Sequence, residues 1–69
     1  MNGVTITREQ MEKSFQYLST IIYNRDWCEE HGERERYENY LSEFCGILSV
    51  YCNLGILNEW YRWRAEHPV

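Results

Sequence analysis

Cys28 and His31 stand at C-x-x-H spacing, which puts a soft thiolate and an imidazole about one turn apart on a helix, as in closed zinc sites. Such a site takes about four ligands, and the cysteines and histidine left to supply them are Cys45, Cys52 and His67. Cys45 and Cys52 lie about 10 Å apart if they share one helix. At that separation they do not readily share an ion, and they cannot form a disulfide with each other. The same Cys28–His31 pair could act as nucleophile and base, but catalysis also needs an orienting group, an oxyanion hole and a cleft. A chain of 69 residues leaves little room for these. The sequence contains no G-x-x-x-x-G-K-S/T, G-x-G-x-x-G or H-E-x-x-H pattern. The expectation is a chain that is not an enzyme and has no cofactor, with a metal-binding or thiol-active role through Cys28 and His31 as an alternative.

Three other constellations point to contact with another protein. Asn39, Ser42, Gly46, Ser49 and Asn53 fall on one helical face that is small and uncharged. Gly in mid-helix costs about 1 kcal/mol against Ala, so a close backbone approach at Gly46 is worth asking for. Three readings stand: an exposed glycine, docking of another helix of the same chain, or a symmetric contact between two copies. The second constellation is the run EWYRWRAEH, in which Trp60, Tyr61 and Trp63 alternate with Arg62 and Arg64. Trp60 and Trp63 read first as core anchors. With Tyr61 and Arg62 they also have the composition of an interface hot spot. The third is the acidic stretch around Glu33, Glu35 and Glu38, which reads as a solvated first helical turn or as an anionic face for a basic partner.

These residues need elements to position them, and the pattern calls for helices only. Tyr37 to Cys52 (YENYLSEFCGILSVYC) puts Tyr37, Tyr40, Leu41, Phe44, Ile47, Leu48 and Tyr51 on one face. This breadth predicts the central helix of a small bundle. Upstream, Thr7 and Gln10 form a capping-box pair, followed by Met11, Phe15, Leu18 and Ile22 at helical spacing. This first helix either ends near Asn24, with a short turn at Trp27 to His31 capped by Asp26 and Glu29, or runs unbroken to His31. In the first case Gly32 closes the short turn. Trp27 is off the stripe and is expected to pack against the second helix or a partner. Gly55 should end the second helix in a left-handed turn, and a third helix runs from about Ile56 to Glu66, stopped by Pro68. The fold class is all-α, a three-helix bundle with antiparallel neighbours, forming a single domain over residues 1–69 with a flexible arm at 1–6.

Composition narrows the partners. The chain carries 11 Asp and Glu against 7 Lys and Arg, a net charge of −4. This balance argues against direct binding of nucleic acid, which needs a basic footprint. There is no apolar run of the roughly 20 residues a membrane span requires, and no signal peptide is visible. Three cysteines, an odd number, fit reduced thiols and a cytoplasmic location. Aromatic residues at 16% supply a large apolar payload, yet a chain this short has a marginal core that a second subunit would reinforce. The functional expectation is a non-enzymatic protein–protein interaction module that forms a homodimer and blocks or bridges another protein. A composition of this kind is also common among phage and mobile-element accessory proteins that inhibit host defence, which is the alternative for an acidic and aromatic surface.

Overall fold

The computed structural model describes residues 6–68 and contains three α-helices: α1 (Arg8–Glu30), α2 (Arg34–Leu54) and α3 (Leu57–Glu66). Thr7 starts α1 as anticipated. Its hydroxyl accepts from the Gln10 amide at 3.1 Å, and Gln10 Oε1 accepts from the Thr7 amide at 3.0 Å. The expected arm at residues 1–6, including any packing by Val4, lies outside the described residues apart from Ile6, which is half-buried.

Both interhelical turns are Schellman closures built on glycine. Gly32 (φ 70) and Gly55 (φ 75) take the left-handed conformation. At the first turn Glu33 N donates to Cys28 O at 2.9 Å, and at the second Ile56 N donates to Tyr51 O at 3.0 Å. A residue with a Cβ is disfavoured in this conformation, so each glycine reverses the chain where the helix must stop. The three helices therefore run up, down and up, and successive helices are antiparallel.

Helix α1 runs unbroken through Asn24 and Trp27 to Glu30, so a separate turn at residues 27–31, capped by Asp26 and Glu29, does not form. Arg25 and Asp26, charged residues where the apolar stripe of α1 would continue, are accommodated by their neighbours. Arg25 lays its guanidinium over the Phe44 ring at 4.9 Å. The same group pairs with Asp26 Oδ1 at 3.0 Å. A cation–π contact and an ion pair let the charge sit on the packed side.

The helices share the core unequally. Helix α1 buries Phe15, Leu18, Ser19, Ile21 and Cys28, whereas α2 fully buries only Tyr51. Tyr40, Phe44, Ile47 and Leu48 of α2 pack against the core but stay half-buried. The reason is length. At the helical rise α3 is about 15 Å long and α1 about 34 Å, so α3 covers only part of the hairpin. The molecule is accordingly a flat slab with extents of 45 × 25 × 16 Å.

The core is aromatic and centres on Phe15. Its ring meets Tyr51 edge-on at 5.3 Å (79°), Trp60 at 5.6 Å and Trp63 at 5.7 Å. Edge-on and tilted pairs suit the aromatic quadrupole and add to the burial itself. Leu18 and Ile21 complete this cluster.

Candidate functional site

The small-residue face of α2 is open. Asn39, Ser42, Gly46, Ser49 and Asn53 are all exposed, and a Cβ placed on Gly46 would meet nothing within 4 Å. Neither α1 nor α3 docks there, which removes one of the three readings. Two apolar side chains extend the face, Val50 at 52% exposure and Leu54 at 43%. Between Asn39 and Leu54 the only charged residue is Glu43. It accepts a hydrogen bond from Tyr17 Oη at 2.6 Å. That bond, reinforced by the carboxylate charge, raises the Tyr17 phenol above its ordinary value.

The aromatic run of α3 divides between inside and outside. Trp60 is 3% exposed and belongs to the core, which corrects its place in a partner-facing set. The cause is the helical phase, which aims Trp60 at Phe15 and Tyr51. Trp63 is half-buried against the same cluster, while Tyr61 and Arg62 are exposed. Arg64 donates to the buried Ser19 hydroxyl at 3.0 Å, tying the end of α3 to the middle of α1. Neither Arg62 nor Arg64 has a carboxylate within 4.0 Å among the described residues, unlike Arg8, Lys13, Arg25, Arg34 and Arg36.

Glu33, Glu35 and Glu38 are exposed at the turn between α1 and α2. Glu33 pairs with Arg36 at 3.6 Å and Glu38 with Arg34 at 3.7 Å. Exposed pairs of this kind contribute about 0–1 kcal/mol, so they leave the carboxylates free to exchange partners.

Cys28 and His31 face different surroundings. Cys28 is 1% exposed, and the Cys45 and Cys52 thiols lie exposed on α2. The His31 ring stacks on Trp27 at 3.9 Å (13°), with Nδ1 2.8 Å from the Trp27 carbonyl. A carbonyl can only accept, so Nδ1 carries the proton. Among the described residues no three His, Cys, Asp or Glu side chains gather where they could hold a metal ion.

The same device recurs at the end of α3. His67 stacks on Trp63 at 4.3 Å (13°), with Nδ1 2.9 Å from the Trp63 carbonyl. The two stretches, WCEEH at 27–31 and WRAEH at 63–67, share a W-x-x-E-H pattern. This short repeat is visible in the sequence but was not among the expectations. It lets a histidine add a second hydrogen bond to a carbonyl that already accepts from its own backbone N–H, while covering one face of an indole.

Helix α2 does not bury Trp27, so of the two covers expected for it, α2 or a partner, only a partner stays open. Trp27 remains 41% exposed and lines a recess of about 220 Å³ with Ile22, Tyr23, Asp26, Glu30 and Arg64. Helical spacing alone groups Tyr23, Asp26, Trp27 and Glu30. The recess needs Arg64 as well, and sequence reading could not place that residue there. A smaller recess of about 100 Å³ separates the start of α1 from α3 and is lined by Glu12, Glu59 and Arg62 among others. In it Glu59 Oε2 is buried without a hydrogen-bond partner among the described residues.

Compared with known proteins, the chain matches no family model, no curated protein and no solved structure. No described helix is long and apolar enough to cross a membrane.

Proposed function

We propose that the chain is a non-enzymatic protein-interaction module that self-associates through the outer face of α2 and binds a second protein to block or bridge it. The observation that supports this most directly is the state of α2. Of its 21 residues only Tyr51 is fully buried, and its outward face is small, nearly uncharged and unobstructed at Gly46. A second copy laid along that face would supply the burial that a short chain lacks. The free thiols support a reducing, cytoplasmic setting.

Solution mass tests the reading. Light scattering in reductant, which keeps Cys45 and Cys52 from cross-linking copies, should give a dimer for the wild type and a folded monomer for Gly46→Leu. A monomeric wild type across the micromolar to millimolar range overturns self-association.

A second reading is favoured by the charge distribution. The segment from Asp26 to Glu38 holds six carboxylates against two arginines, a formal −4 that equals the charge of the whole chain, because the five acids and five bases elsewhere cancel. An anionic end beside an exposed Trp27 suits an inhibitor that occupies a basic surface on its target, as a phage or mobile-element accessory protein would against a host defence protein. Reversing Glu33, Glu35 and Glu38 to lysine should abolish binding to such a target. Unchanged binding would reduce the acidic end to a solubility feature.

A further inference from the structure

Arg64, in the last turn of α3, meets Ser19 (3.0 Å), and α1 continues beyond Ser19 to Glu30. The step between them is the recess of about 220 Å³. On the α1 side Tyr23 and Trp27 present ring surface, at 57% and 41% exposure, and Asp26 and Glu30 present carboxylates. His31 occupies one face of the Trp27 indole, so any further stacking there uses the other face. Glu30 has no cation within 4.0 Å among the described residues, and the one cation paired with Asp26 is Arg25. Arg64, the cation on the opposite wall, is committed to Ser19 and to neither carboxylate. Asp26, Trp27 and Glu30 of the recess belong to the acidic segment, whereas Ile22, Tyr23 and Arg64 lie outside it.

We propose that this recess receives an arginine side chain projecting from a basic segment of a partner protein. The chemistry of the walls selects it. A guanidinium is planar, stacks on aromatic faces and offers forked donors that match a carboxylate. An ammonium shares the charge but not the planarity. Anionic partners, a phosphate backbone or an acidic lipid surface among them, meet the same field as repulsion. The proposal rests on reading the chain as an interaction module but is independent of self-association, because the recess lies on α1 and α3 and the proposed dimer face lies on α2.

The test is a titration of isotope-labelled full-length chain with two peptides of equal length and charge, one with three arginines and one with three lysines spaced by glycine and serine, followed by amide and indole N–H shifts. The arginine peptide should shift Trp27 and its neighbours Tyr23, Asp26 and Glu30 first, and bind several-fold tighter than the lysine peptide. Trp27→Ala and Glu30→Gln should each weaken it about 2- to 5-fold, in line with the loss of one exposed cation–π or charged contact. Both side chains are exposed, so circular dichroism should show the fold intact. Equal affinity for the two peptides, shifts spread evenly over all carboxylates, or shifts confined to Glu33, Glu35 and Glu38 would each overturn the pocket. A dimeric or monomeric wild type leaves this outcome unaffected, so failure here is distinguishable from failure of self-association.

Discussion

The phenolic oxygen of Tyr51 lies 2.6 Å from the hydroxyl of Ser14, joining the end of α2 to the start of α1. Tyr51 is also the only fully buried residue of α2, and its ring packs edge-on against Phe15. One side chain therefore supplies both the apolar anchor of α2 and a polar tie to its neighbour. Ser14→Ala leaves a buried phenol without its partner, at a cost of about 1–3 kcal/mol, and Tyr51→Phe loses about 1 kcal/mol. A double-mutant cycle by urea denaturation should return a favourable coupling of about 1 kcal/mol. Simple additivity would show that the bond is not formed in solution.

Alkaline stability follows from the same residue. Burial pushes the Tyr51 phenol above its usual value, and the Ser14 bond offsets this only in part. The folded chain thus keeps the proton after the unfolded chain has lost it. The resulting stability is complete below the unfolded value near pH 10 and is lost as pH rises through the higher folded value. Tyr17, raised by Glu43, acts in the same direction from an exposed position and should respond to salt. Melting temperatures measured from pH 8 to 11 should fall at the alkaline end, and the fall should be shallower for Tyr51→Phe.

Three glycines should respond in opposite senses. Gly46→Ala has open space around it, and in a monomer it should add about 1 kcal/mol through helix propensity. Gly32→Ala and Gly55→Ala place a Cβ on a left-handed backbone, at a cost of about 1–2 kcal/mol each. Urea midpoints at low protein concentration will separate these cases. A destabilising Gly46→Ala there would mean the face is not open.

Core and face should also separate by what they disturb. Phe15→Ala removes the centre of the aromatic cluster and should cost about 3–5 kcal/mol. Val50→Asp alters an exposed site, so its effect on the monomer should stay within about 0.5 kcal/mol. It should nevertheless abolish the concentration dependence of the melting temperature that a dimer predicts. A melting temperature independent of concentration in the wild type would remove the second half of this prediction together with the dimer.

Much of the fold was legible because its signals are local. Thr7 and Gln10 satisfy each other within one turn, Gly32 and Gly55 stop helices through backbone freedom alone, and the apolar spacing in each segment reports one helix face. The open face around Gly46 was legible only as a choice among three readings. Which one holds depends on where the other helices lie, and that is a matter of their relative lengths.

What the sequence determined by itself is the identity of the three helices but not where α1 ends, since caps, glycine stops and helical periodicity act over a few residues. What the tertiary structure alone decided is how those helices share the core. The short α3 packs against both α1 and α2 and covers only part of the hairpin; α1 buries the most residues and the wide apolar arc of α2 remains half covered. Arg25 continues the helix because Phe44, nineteen positions away in the chain, receives its charge. Trp27 stays exposed because the short α3, which ends at Glu66, does not cover it. Each of these outcomes depends on contacts between residues distant in sequence, and periodicity does not encode such contacts.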